Sequence, residues 1–120
     1  MTEFVEVKAQ DLSGPALDWA VAQVEGVKVT VNGEFSEKVF IGSKSGLIKG
    51  LYRPSTDWVL GGPLIDKFEV EILRAGSVIH AKRYGMTNSA GDGETALIAA
   101  CRAIVASSLG DTVSVPKEIL

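Results

Sequence analysis

The chain has 120 residues, 46% hydrophobic and 22% charged, an ordinary composition for a globular domain. Twelve Lys and Arg against fifteen Asp and Glu give a net charge of -3, without the basic excess of proteins that grip nucleic acid through its phosphates. No apolar run approaches the roughly 18 residues of a membrane span, the N-terminal MTEFVEVKAQD lacks a signal peptide's apolar stretch, and the single cysteine, Cys101, excludes an internal disulfide, so a reducing cytoplasm is the expected compartment.

Residues 3 to 8 alternate, with Val5 and Val7 on one side and Phe4, Glu6 and Lys8 on the other, the period-2 pattern of a strand. Ser13-Gly14-Pro15 then opens a helix. Ser13 is its N-cap, Pro15 sits in the first turn, Asp18 complements the positive dipole end, and Gly26 stops it. Leu17, Ala20, Val21 and Val24 form its apolar stripe. Trp19 points almost opposite Leu17 and Val21. Either the central loop packs over this indole, or it is a platform for a ligand or partner.

Val27, Val29 and Val31 mark a strand, and Asn32-Gly33 is a strong turn signal. A two-residue turn there would set apolar residues against polar ones, so the return strand is placed only within 35 to 41. Residues 42 to 66 read as a long loop. Phe68, Val70 and Ile72 then alternate with charged residues, as do Ile79 and Ala81. A four-residue loop, Arg74 to Ser77, would pair Leu73 with Val78, Glu71 with His80 and Glu69 with Lys82. A second helix starts from Asp92 as N-cap and closes at Gly110, with Leu97, Ala100, Cys101, Ile104 and Val105 as its stripe and Arg102 off it. Val113 and Val115 form a last short strand before Pro116. The expected fold is one α+β domain over 1–120: a two-layer sandwich, with a largely antiparallel sheet and two helices on one face.

Few chemistries fit these residues. GSKSGLIKG at 42 to 50 lacks the order of a phosphate-wrapping loop. GMTNSAGDGET at 85 to 95 precedes a helix but carries Asp92 and Glu94 where an anion would sit. One histidine and one cysteine do not make a zinc site. Neither a metal nor a cofactor is expected, and no residue is assigned as catalytic. Cys101 reads as core and His80 as a surface histidine paired with Glu71. The basic residues Lys44, Lys49 and Arg53 form one local cluster.

The stretch YRPSTDWVLGGP at 52 to 63 stands apart. Pro54-Ser55-Thr56-Asp57 is turn chemistry, with short oxygens suited to holding loop N–H groups. Gly61-Gly62-Pro63 would lead into a short helical turn, with Pro63 at its first position. Tyr52 and Trp58 would pin the loop, and Arg53 is available for an anion. Such loops either clamp the fold or carry recognition. The candidate binding residues are Trp19, Tyr52, Arg53, Ser55, Thr56, Asp57, Trp58, Gly61 and Gly62.

Three fragments carry a resemblance: GPALDWAVAQVEG at 14 to 26, YRPSTDWVLGGPLID at 52 to 66, and TALIAACRAIVASSLGDTVSVP at 95 to 116. In this order and spacing the chain resembles the NinX-like family of small bacteriophage and prophage proteins, over nearly its whole length. The resemblance implies a phage or prophage origin, an accessory role in the host cytoplasm, and no catalytic residues, since the family offers none. Members read Ser in place of Arg53 and Pro in place of Ala96. The leading expectation is a non-enzymatic accessory protein that binds a macromolecule or small ligand through residues 52 to 63, with Trp19 nearby. A nucleic-acid-binding module is one alternative. A small enzyme using Asp57 or Asp18 with His80 is another.

Overall fold

The computed structural model describes residues 3–31, 39–42, 48–86 and 89–120, with the backbone alone at 30–31, 39–42 and 48–51. In chain order the elements are β1 (Phe4–Lys8), α1 (Gly14–Glu25), β2 (Val29–Val31), β3 (Val39–Gly42), β4 (Ile48–Leu51), α2 (Trp58–Lys67), β5 (Val70–Ala75), β6 (Val78–Arg83), β7 (Ala90–Gly93), α3 (Ala96–Leu109) and β8 (Thr112–Pro116). The class is α+β, with every described ladder antiparallel. The strands divide into three ladders, β1–β8, β2–β3–β4 and β5–β6–β7, rather than lying in one sheet. A third helix, α2, joins the two that the sequence announces.

α1 begins and ends where its sequence signals lie. Ser13 is the N-cap residue, and Gly26 takes the left-handed C-cap conformation at φ 68°. Ala16, Leu17, Ala20, Val21 and Ala22 are buried, together with α3's Leu97, Ala100, Cys101, Ile104 and Val105. The first strand closes on the last: Val5 lies opposite Val115 and Val7 opposite Val113. Val113 and Val115 are both buried, so β8 supplies the apolar side of this ladder.

β2 pairs with β3 with Val29 opposite Ile41 and Val31 opposite Val39. Apolar residues thus oppose apolar ones in this ladder, while the pairing of Val31 with Glu34 that a two-residue turn would give lies outside the described residues. The Asn32-Gly33 turn itself, and Lys44 of the basic cluster, lie outside the described residues.

The second hairpin has a register two residues away from the expected one. Ala75 pairs with Val78 across Gly76-Ser77, which sets Glu71 opposite Lys82 and Leu73 opposite His80. Gly76 adopts φ 64°, the positive value that the first position of a tight primed turn requires, and this shortens the loop from four residues to two. The shift is even, so each side chain keeps its face.

β7 replaces the loop expected before α3. Asp92 is a strand residue rather than a cap, and Thr95 caps α3, its hydroxyl accepting the Ile98 N–H at 3.2 Å. The strand can lie there because its glycines admit the helix. A Cβ on Gly91 would stand 2.4 Å from the Ala103 nitrogen and 2.5 Å from the Ala99 oxygen. Ala99 and Ala103 are fully buried against β6 and β7, forming a second stripe on α3 made of small residues. Among the described residues no helix is long and apolar enough to cross a membrane.

Candidate functional site

Residues 52 to 67 form one compact unit. Most of the stretch expected as a long loop from 42 to 66 is, where described, β4 followed by a turn and α2. The Arg53 carbonyl accepts from both Thr56 N–H (3.1 Å) and Asp57 N–H (2.8 Å), which folds Pro54-Ser55-Thr56 into the turn that its composition favours. The Asp57 carboxylate then accepts the Val59 N–H at 2.9 Å and caps α2 at Trp58. So the helix starts five residues earlier than a Pro63 start would place it, and Pro63 lies inside it.

The two glycines make this possible. A Cβ on Gly61 would lie 2.1 Å from the Pro54 carbonyl oxygen and 2.8 Å from the Leu97 side chain. The bare backbone at 61 is therefore where α2 sits on both its own preceding turn and α3. Gly62 lies under the Trp58 ring, whose nearest carbon would be 3.3 Å from an added Cβ.

The unit is fastened to α1 at two points. Asp18, only 4% exposed, accepts the Ser55 N–H at 2.9 Å. Lys67, in the last turn of α2, donates to Glu25 at 2.6 Å. Burial pushes the Asp18 carboxyl up from 3.8 to about 6, offset only in part by Ser55 and by the nearby charge of Arg53. Burial also pushes the Tyr52 phenol up to about 12, with the charges of Glu25, Cys101 and Asp18 adding to it. The Cys101 thiol rises to about 12 as well, first by burial and then by the Asp18 charge. Asp18, Tyr52 and Cys101 are thus buried close enough for their charges to act on one another, and Ser55 joins them through its bond to Asp18. The Ser55 hydroxyl there is buried, without a hydrogen-bond partner among the described residues.

The candidate residues separate into an inner and an outer set. Tyr52, Ser55 and Gly61 are buried, with Asp57 engaged as the helix cap. Arg53 and Thr56 are exposed, and beside them Trp58 is 59% and Val59 81% exposed. Val59 went unnoticed in the sequence because a valine beside a tryptophan reads as core. Trp19 does not join this group. It is half-buried, and its ring meets Phe4 of β1, with centroids 6.2 Å apart and planes tilted by 52°. The α1 residue that reaches the turn is its neighbour, Asp18.

His80 pairs with Asp92, Nδ1 to Oδ1 at 2.6 Å, and not with Glu71, which lies opposite Lys82 and within 3.9 Å of its ammonium. β7 brings Asp92 beside His80, and that strand is not legible in the sequence. Asp18 and Asp57 are each engaged with backbone N–H groups elsewhere, so the His80–carboxylate pairing with either one is not assembled. Around His80 and Asp92, a cavity of about 280 Å³ on the outer face of the sheet is lined by Glu71, Leu73, Lys82 and Ala90. Both side chains of the pair are about half exposed, as expected of a surface pair.

None of the curated proteins matches the chain. The family model described as "Bacteriophage P22, NinX" matches residues 8–108, from the end of β1 almost to the end of α3, and so takes in the whole 52–67 unit and the Asp18 anchor beneath it. With most of its length matched, the chain belongs to the bacteriophage P22 NinX family.

Proposed function

We propose that this phage-family protein is an accessory factor of the host cytoplasm that acts by binding rather than catalysis, through the outer face of the 52–63 segment. The observation that carries this reading is the adjacent pair Trp58 and Val59, exposed at 59% and 81% on the first turn of a helix anchored from below. Exposing a tryptophan and a β-branched residue side by side leaves apolar surface in water, and such surface marks interaction sites. Tryptophan is also among the residues that dominate interface energies. Arg53 and Thr56 supply a polar rim to the same face. Tyr52, Ser55 and Gly61 hold the shape and do not touch the partner.

Capture from phage-infected cells, followed by titration of the captured partner against purified chains, tests the reading. Trp58→Ala is expected to weaken that binding by at least about 30-fold, the loss of one central anchor of about 2 kcal/mol. A partner that binds Trp58→Ala as it binds the wild type contradicts the proposal. Salt-dependent binding to short duplexes, unchanged by the same substitution, would replace it with the nucleic-acid reading.

A further inference from the structure

The two edges of the β5–β6–β7 sheet are finished differently. In a two-residue hairpin the closing pair, here Ala75 and Val78, is hydrogen-bonded, and bonded pairs recur at every second residue. The N–H and C=O groups of Ile72 and Arg74 therefore point away from β6. By the same alternation, Ala90 and Asp92 point outward from β7.

The β7 edge is sealed. The Gln10 amide donates to the Ala90 carbonyl at 2.6 Å and accepts the Asp92 N–H at 3.1 Å, taking the place of a neighbouring strand. Arg102 donates to the Asp92 carbonyl at 2.7 Å. On the β5 edge no hydrogen bond among the described residues reaches the outward groups of Ile72 and Arg74. The apolar side chains there are exposed too: Leu73 at 67%, with Ile72 and Val78 beside it. An open, six-residue, partly apolar edge is a template for another strand.

We propose that β5 is where two copies of the chain join, antiparallel, into a six-stranded sheet about a two-fold axis normal to it. The charge pattern favours a second copy over a foreign strand. Antiparallel partners set opposed side chains on one face, so only alternate registers are open. Centring on Ile72 sets Val70 against Arg74 and Glu71 against Leu73. Centring on Leu73 sets Ile72 against Arg74 and Glu71 against Ala75. Both put an apolar residue on the axis and set no like charges directly opposite one another. The next slip in either direction sets Glu71 against its own counterpart or Arg74 against its own, and like charges directly opposite are destabilising. The strand is self-complementary in two registers and repels itself in those on either side.

Sedimentation equilibrium and amide exchange on the wild-type chain test this directly. At high concentration the mass is expected to reach twice 12.7 kDa. The Ile72 and Arg74 amides should exchange about tenfold or more slowly than in dilute solution, while the Leu73 amide, already bonded to β6, is unchanged. Ile72→Pro removes one outward N–H that the hairpin does not use and is expected to return the mass to 12.7 kDa. Should that variant fail to fold, the wild-type exchange comparison decides alone. A wild type that stays at 12.7 kDa up to about 1 mM overturns the proposal, as does a dimer whose Ile72 and Arg74 amides exchange no more slowly than in dilute solution. Protection of those amides only on adding an extended foreign peptide assigns the edge to another occupant and overturns it equally.

Discussion

Asp18 sits at 4% exposure with its carboxyl raised from 3.8 to about 6, so the folded chain holds that proton more tightly than the unfolded one. Its ionisation therefore removes stability as pH rises from about 4 to about 6, by roughly 2–3 kcal/mol for a shift of this size, and acidification restores it. Asp18→Asn keeps an oxygen for the Ser55 N–H and removes the buried charge. It is expected to be at least as stable as the wild type at pH 8, and the wild-type advantage gained between pH 6 and 4 should vanish in denaturant titrations. Asp18→Ala leaves the buried Ser55 N–H without a partner and should fall below Asp18→Asn by about 1–3 kcal/mol. A wild type whose stability relative to Asp18→Asn does not change with pH would contradict the burial argument. In the sequence the two aspartates are easily exchanged. Asp57 lies within the turn and reads as its clamp, while Asp18 lies near a helix start and reads as a dipole partner. The reverse assignment is visible only in the spacing that puts Asp18 in line with Val21 and Ala22, both buried.

At the scale of elements, glycine decides what packs. Gly61→Ala and Gly91→Ala each drive a Cβ into backbone, at 2.1 Å and 2.4 Å, and are expected to cost at least about 2–3 kcal/mol. Gly62→Ala meets only the edge of the Trp58 ring at 3.3 Å, in a helix that favours alanine, so its change should stay within about 1 kcal/mol. Chemical denaturation of the three variants separates these cases; equal effects would mean that α2 and β7 are not seated as described. The same glycines explain which elements sequence reading missed. GGP reads as the entry to a helical turn that begins at Pro63, yet α2 already runs through both glycines because close seating on Pro54 and Leu97 outweighs propensity. AGDG shows no alternation of apolar and polar residues, yet it is a strand because an alanine face of α3 lies directly on it. α1 and most of α3, by contrast, carry caps, a stripe and terminal glycines in the sequence itself, and both form close to where those signals lie.

Across the whole molecule, stability and the proposed display occupy opposite sides of one segment. Tyr52, Ser55 and Gly61 face inward to α1 and α3, while Arg53, Thr56, Trp58 and Val59 face out. The stretch 52 to 63 stood out in the sequence. Its division into two faces did not, because that depends on Asp18, thirty-seven residues away from Ser55. Photo-crosslinking in phage-infected cells tests the proposed display most directly, with the reactive amino acid placed at Val59 and, as control, at the exposed Gln23 of α1. A discrete adduct formed from position 59, absent from position 23 and lost on adding Trp58→Ala, is the result expected. The same adducts from both positions, or none from position 59, would contradict binding through this face.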